Sequence, residues 1–182
     1  MNEDQLVTYF EKLAIQSKEI NHNLNGKKSF FYVEDGFNLD EFDEKIRSAA
    51  QSPTLILVAD DGTFSDNNTS NHTQEISADL LFIGRIKSNN TIRSIRSECL
   101  SIALHFLAKM KYDAGKSKIH PEGKKVFFRI DQIPYKKIGP LNLEWYGYSL
   151  TFTLTCPFGY TVNSGTWRDN ELLVQPIKGP DD

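Results

Sequence analysis

The chain has 182 residues, of which 39% are hydrophobic and 12% aromatic, so it is long enough for one good core and too apolar for a disordered chain. Its formal net charge of −3 argues against a partner held by overall basicity, and nucleic acid is therefore not expected as the main partner. No apolar run reaches the roughly 18 residues that a membrane span needs, and the acidic start MNEDQLVTYFEKL is unlike a secretory signal. We expect a cytoplasmic protein, or one assembled from the cytoplasm, with no membrane partner.

The first half of the chain predicts two helices that alternate with two strands. Apolar residues from Leu6 onward recur at helical spacing, and Asn38 with Glu41 has the spacing of a capping box. The second strand is apolar on both faces, which is typical of a central strand. In order, the predicted elements are a helix over residues 6–25, a strand over 29–33, a helix over 38–50 and a strand over 54–59.

The second half predicts two further strands, one long helix and a closing strand, separated by loops. The segment over residues 60–74 is polar and small, and is expected to be a loop. The remaining elements are a strand over 76–87 that Gly84 weakens or bulges, a helix over 91–112 capped from residues 88–90, a basic loop over 114–125, a strand over 126–133, a loop over 134–140 and a strand from 141. We expect one domain over residues 1–160 and an extended C-terminal tail over 161–182.

The closing strand has the clearest pattern in the sequence, because residues 146–158 alternate almost without error. Side chains in a strand alternate between faces, so one face is apolar and the other carries hydroxyl groups. Its residues span roughly 40 Å at about 3.3 Å each, which is long for a small domain. The hydroxyl face is either open to water or buried between subunits, and its interface candidates are Ser149, Thr151, Thr153 and Thr155.

The order of elements predicts an α+β fold. We expect a mainly antiparallel sheet built from ferredoxin-like split β-α-β units, with an N-terminal helix and a long C-terminal strand. The strands at residues 29–33 and 54–59 are both followed by acidic turns that contain glycine.

The sequence contains no convincing catalytic or metal-binding pattern. Glu34, Asp35, Asp60 and Asp61 could hold a divalent ion for hydrolysis, but Asp-Gly pairs are common turn formers. The four histidines are scattered without ligand spacing, and the two cysteines are expected to be buried free thiols, although a bridge between helix and strand stays open. We expect no enzyme, no cofactor and no metal.

Lysines are concentrated between Lys109 and Lys137, close to aromatic residues. Three interpretations stay open: a solvated helix end, a contact with an acidic neighbouring subunit through residues 40–44, and a nucleic-acid-binding module. The nucleic-acid-associated module is the alternative function.

In its order of elements the chain resembles the tail terminator and tail completion proteins of tailed phages. The resemblance covers about residues 1–160, and three features carry it: the amphipathic opening helix, the helix over 91–112 after the strand 76–87, and the aromatic closing strand LEWYGYSLTFTLTCPFGY. It implies a structural protein of a virion that forms a homo-oligomeric ring and contacts the tail tube or neighbouring particle proteins. It also implies that the loops over 60–74 and 114–125 make these contacts, which adds Phe64, Lys116 and Lys118 as interface candidates.

Overall fold

The computed structural model describes residues 1–34, 44, 52–66 and 72–159. Except for Glu44, the predicted helix over 38–50 and its acidic residues lie outside this range, as does the predicted tail over 161–182. Two helices are described, α1 (Glu3–Gln16) and α2 (Ile92–Gly115). The described strands are β1 (Phe30–Val33), β2 (Thr54–Asp66), β3 (His72–Arg85), β4 (Phe127–Phe128), β5 (Tyr135–Leu141) and β6 (Trp145–Pro157).

The six described strands form one mixed sheet in the order β1-β2-β3-β6-β4, with β5 also beside β6. Only β1 and β2 pair in parallel, so the predicted α+β fold with a mainly antiparallel sheet is confirmed. The two ferredoxin-like split units are not borne out, because β1 and β2 are direct neighbours. β3 and β4 do run parallel on either side of β6, but β4 has only two residues.

Both helices cover one face of the sheet, and the main core lies between them. The inward side chains of β6 are buried as the alternation predicted, with Phe152 1% and Leu154 0% exposed. Phe10 of α1 lies 5.3 Å from Phe152 between ring centroids, and Phe106 of α2 lies 5.2 Å from Phe82. Complete burial of each such side chain stabilises the fold by about 1.5–3 kcal/mol.

A second apolar cluster lies on the opposite face of the sheet, near the start of β6. It contains Val33, Ile56, Ile83 and Trp145, all of which are buried. Because Leu55 and Leu57 face the helices, β2 is buried on both faces and is central, as its sequence predicted.

Two predicted boundaries are wrong, one because of a local hydrogen bond and one because of strand pairing. The first helix ends at Gln16 instead of near residue 25, because the Ser17 hydroxyl accepts a bond from the amide of Ile20 and the chain turns there. β2 continues to Asp66 and β3 begins at His72, so much of the predicted loop over 60–74 is a strand pair. Backbone hydrogen bonds pair these polar residues between the two strands, and the spacing of apolar residues in the sequence does not indicate such a pair.

The predicted loop over residues 134–140 contains β5, an outer strand of the sheet. Pro140 lies where the pairing with β6 shifts, between Ile138 and Leu141. This position is compatible with proline, because a residue without an amide donor is tolerated at irregularities and on outer strands.

The long helix α2 begins at Ile92, one residue later than predicted. Its N-cap is Thr91 instead of a residue from the 88–90 segment, because the Thr91 hydroxyl accepts the amide of Ser94. The Ser94 hydroxyl in turn accepts the amide of Thr91, which completes a capping box.

Two glycines allow close packing around β6. A β-carbon on Gly84 would lie 2.8 Å from Cγ2 of Ile95, so this glycine lets α2 approach the sheet. The ladder is regular there, without the predicted bulge. A β-carbon on Gly147 would overlap the carbonyl oxygen of Phe82 on the neighbouring strand.

We predict that Gly147→Ala lowers the free energy of unfolding by about 3 kcal/mol, because the backbone of β3 cannot move away without breaking its ladder. Gly115→Ala is the matched control, since nothing lies within 4 Å of its added β-carbon. Urea denaturation should show the loss for Gly147 and a change within about 0.5 kcal/mol for Gly115. Equal stability of the two variants would contradict the close approach.

His22 and His120 are buried and act as hydrogen-bond acceptors. Nδ1 of His22 accepts the amides of Ser29 and Phe30, each at 3.2 Å, and so fastens the chain at the start of β1. Nδ1 of His120 accepts the amide of Glu122. Burial lowers the pKa of both imidazoles, and Glu11 beside His22 opposes this only in part.

We predict that the free energy of unfolding falls as the pH drops below about 6.5, the ordinary histidine pKa. Below this pH the two histidines bind protons in the unfolded state, whereas in the folded state their lowered pKa keeps them neutral. Above this pH both imidazoles are neutral in the folded and the unfolded state. His22→Asn keeps an acceptor oxygen near the Nδ1 position but does not titrate, so its denaturation midpoint should depend less on pH between about 7.5 and 5.5. An unchanged pH dependence in this variant would remove His22 from the explanation.

Candidate functional site

β6 is an internal strand of the sheet. β3 pairs with it along one side from Thr73–Pro157 to Arg85–Trp145. On the other side, β5 pairs with residues 145–150 and β4 with Thr155 and Leu154. Most of both edges of β6 is therefore paired within the chain, so its length does not leave an open edge for a neighbouring subunit.

The hydroxyl face of β6 continues onto β3 as one polar surface, which we call the polar sheet face (Ser149, Thr151, Thr153, Thr155, Glu75, Ser77, Asp79). Cross-strand pairs join Glu75 to Thr155, Ser77 to Thr153 and Asp79 to Thr151. The hydroxyl oxygens of Ser77 and Thr153 lie 3.1 Å apart. Thr153 is exposed, while Ser149, Thr151 and Thr155 are half-buried. The structure therefore brings four of the seven candidate residues together.

Asp79 is the one charged side chain of this surface that has a buried, unpaired atom. Its Oδ1 is buried and has no hydrogen-bond partner in the part of the chain that the structure describes. Its neighbours across the ladders are Val58 and Thr151. A desolvated oxygen without a donor costs about 1–3 kcal/mol, so the Asp79 side chain lowers the free energy of unfolding.

We predict that Asp79→Val raises the free energy of unfolding by about 1 kcal/mol, because it removes the unpaired oxygen and places a β-branched residue in a central strand. Thr151→Val is the matched control on the facing position and should change stability by less than about 0.5 kcal/mol. Chemical denaturation of both variants checks this. A loss of stability in Asp79→Val would mean that the carboxylate has a stabilising partner.

Phe64 lies at the far end of the sheet, on the face of the helices. Its cross-strand partner is Gln74, whose side chain accepts a 3.0 Å bond from the amino group of Met1. The ring of Phe64 contacts that of Phe158 at 5.1 Å between centroids, yet Phe64 is 69% exposed. We call this part of the sheet, β2 from Gly62 to Asp66 with β3 from His72 to Ile76, the β-arm.

Lys116 and Lys118 lie at the C-terminal end of α2, away from the polar sheet face. We call this surface the lysine-rich end (Lys109, Lys111, Lys116, Lys118, Tyr112). Phe127 is not part of it, because Phe127 pairs with Thr155 and so faces the same side of the sheet as the polar sheet face. Lys109 and Lys118 each place an ammonium group over the ring of Tyr112, at 5.5 and 5.8 Å from its centroid. Lys125 lies 5.1 Å from the centroid of Phe127. Cation–π contacts of this kind are attractive even at exposed sites.

A buried polar network connects the two helices beneath this end. The hydroxyl of Tyr9 donates to Oδ2 of Asp113 at 3.2 Å, and Lys109 donates to Oδ1 at 2.6 Å. Burial and the neighbouring carboxylate raise the pKa of Tyr9 well above its usual range. The sequence gives little sign of this network, apart from a tyrosine beside the apolar stripe of α1.

The described residues contain no group of three or more histidines, cysteines or acidic residues placed to hold a metal ion. Asp60 and Asp61, which were expected in a turn, belong to β2 at an irregularity of its pairing. Cys99 and Cys156 are buried free thiols, as predicted. Burial raises the pKa of Cys99 to about 12 and also raises that of Cys156, so neither thiol is activated as a nucleophile.

A mainly apolar cleft of about 380 Å³ lies between the end of α1 and the middle of α2. Leu13 and Phe106 line it, and Glu19 and His105 face each other there with 3.0 Å between Oε2 and Nδ1. This pair is exposed, and it connects the turn after α1 to α2.

No model of a known protein family matches this chain, and a search of the curated proteins finds no significant match. Among the described residues, neither helix is both long and apolar enough to cross a membrane.

Proposed function

We propose that this protein is a non-enzymatic structural protein that self-associates, forming a ring in a phage tail or a related particle. The observation that carries this proposal is the β-arm with its exposed Phe64. A large aromatic side chain that is 69% exposed at the end of an extended sheet is suited to burial against another subunit.

The β-arm has an open edge on β2 within the described part of the chain. β1 pairs with β2 only up to Val58, so within the described range β2 has β3 as its one neighbour from Gly62 to Asp66. The unpaired side of a strand offers amide and carbonyl groups for pairing with another chain. An edge and an exposed ring on one segment therefore favour a contact between proteins.

The position of the arm also favours a ring over an isolated pair of subunits. The ring of Phe64 lies on the helix side of the arm, whereas the polar sheet face, which includes Glu75 of the arm, lies on the opposite side of the sheet. If the arm contacts a different surface of the next copy, the contact is heterologous, and such contacts close into rings when the rotation permits. The polar sheet face, with exposed Thr153 at its centre, is the surface we assign to the receiving subunit.

We predict that Phe64→Ser weakens self-association about tenfold or more, because burying a phenylalanine side chain contributes about 1.5–3 kcal/mol. Sedimentation velocity over a range of concentrations measures this. Tyr112→Ser is the matched control, since Tyr112 is also exposed, at 55%, but lies on α2, outside both the β-arm and the polar sheet face. Thr153→Arg tests the receiving surface and should weaken assembly to a similar extent, because it places an unpaired charge in the contact.

Two outcomes would count against the proposal. A wild-type protein that stays monomeric at every concentration, alone and with tail or particle proteins, would remove self-assembly as the function. If the wild-type protein forms an oligomer and neither Phe64→Ser nor Thr153→Arg weakens it, self-assembly stands as the function but these two surfaces do not form the contact.

A further inference from the structure

We propose that the loop between α1 and β1 is an acid-sensitive lid: protonation of His22 releases the loop and opens the apolar cleft between α1 and α2. We call residues 17–29 the connecting loop. The proposal does not depend on self-association, and it concerns a local opening, not the unfolding of the whole chain.

The connecting loop is mostly exposed and is held by a few buried residues. Ile20, His22 and Ser29 are 0%, 6% and 0% exposed. The exposed positions of the loop are 18, 19, 21 and 23–28. A segment with so few buried side chains opens at a lower free energy than the core of the sheet.

The buried residues of the loop are connected to one another through His22. Its Nδ1 accepts the amides of Ser29 and Phe30, each at 3.2 Å. The hydroxyl of Ser29 donates to the carbonyl oxygen of Ile20 at 2.7 Å. The amide of His22 donates to the carbonyl oxygen of Ala14 at 3.3 Å. One imidazole therefore fastens the loop to the end of α1 and to the start of β1.

This arrangement requires a neutral imidazole. When both ring nitrogens carry hydrogen, each of them can only donate, so a protonated Nδ1 would face the amides of Ser29 and Phe30 without accepting from either. The imidazolium would also lie in a site that is almost closed to water, which is unfavourable for an ion. Release of the loop lets water solvate the imidazolium, so acid favours the open loop.

The charged groups around His22 do not hold the imidazolium in place. Burial lowers the pKa of His22, Glu11 of α1 opposes this in part, and Lys28 of the loop lowers the pKa further. Oε1 of Glu11 lies 3.9 Å from Nε2, and β1 contributes the uncharged ring of Phe30. The closed loop therefore loses stability as the pH falls below about 6.5, the ordinary histidine pKa.

The connecting loop forms one wall of the apolar cleft. Its residues 17–19 line the cleft together with Leu13 and Phe106. The 3.0 Å contact between Glu19 and His105 connects this wall to α2, but both side chains are exposed, so water screens the pair. Protonation of His105 would strengthen this contact and oppose release. Release removes the wall and makes Leu13 and Phe106 accessible.

Hydrogen exchange of the Ser29 and Phe30 amides, measured by NMR at about pH 7.5 and about pH 5.0, tests the proposal. Protection factors are compared, because they correct for the pH dependence of exchange itself. We expect these amides to be less protected than the β3–β6 ladder at both pH values. Their protection should fall up to about 30-fold at the lower pH, the limit for a histidine that titrates near 6.5 only when the loop is open.

Two further measurements show that the opening is local and reaches the cleft. Low concentrations of urea should leave the exchange of Ser29 and Phe30 unchanged, because a local opening exposes little surface. Relaxation dispersion at the lower pH should detect the same exchange process at Glu19 and at the ring of Phe106.

Three variants assign the effect to His22. His22→Asn keeps an acceptor oxygen but does not titrate, so the fall in protection should disappear. His120→Asn is the matched control, because His120 is also buried and its Nδ1 also accepts an amide, but it lies outside the loop. The fall should persist in this variant. His105→Gln removes a charge that opposes release, so the fall should be at least as large.

The proposal is overturned if Ser29 and Phe30 open only together with the ladder, if their protection does not depend on pH, or if the fall persists in His22→Asn or disappears in His105→Gln. Exchange at Glu19 without exchange at Phe106 would reject the opening of the cleft. If His22→Asn does not close the loop at neutral pH, the nitrogen chemical shifts of the wild-type imidazole decide: an Nδ1 without hydrogen at neutral pH supports the proposal, and an Nδ1 that carries hydrogen overturns it. None of these results bears on whether the protein self-associates.

Discussion

The continuous antiparallel ladder between β3 and β6 is the constraint on which the rest of the structure depends. It extends without interruption from Thr73–Pro157 to Arg85–Trp145. Each strand alternates, and their register is fixed, so the inward positions meet both helices while the outward positions meet neither. A slip of one residue would move Phe152 and Leu154 out of the core and the threonines into it. Gly147 and Gly84 make the ladder possible, because side chains there would separate β6 from β3 or α2 from the sheet.

The same ladder separates the candidate surfaces from one another. Because outward positions change from Ile83 and Leu81 to Asp79, Ser77 and Glu75 along β3, the open face is apolar at one end and polar at the other. Met1 and the start of α1 lie beside the β-arm at Gly62, Gln74 and Ile76. The lysine-rich end lies at the end of α2, near β4 at the edge of the sheet opposite β1. One long strand pair therefore places the ring of Phe64 on the helix side of the sheet and the polar sheet face on the other side.

These surfaces share a lack of activated chemistry in the described part of the chain. Buried imidazoles serve as acceptors for backbone amides, and the thiols are held protonated by their apolar surroundings. The unpaired Oδ1 of Asp79 and the exposed ring of Phe64 instead cost stability or solubility. Such features are typical of contact surfaces, and they are the basis of the proposal that this protein acts by self-association.

The sequence by itself determined the elements with a strong local signal. Alternation over residues 146–158 determined which side chains of β6 are buried, and apolar residues on both faces identified β2 as central, because burial and periodicity are properties of a single strand. These local signals did not determine which strands pair with each other. The sequence did not reveal the strand pair within residues 60–74 and predicted two split units, since both depend on which backbone groups find partners far along the chain. Only the tertiary structure decided that both edges of β6 are largely paired and that Phe64 is exposed on the β-arm. The physical reason is that a paired edge and an exposed strand end are relations between distant segments, and no window of the sequence contains them.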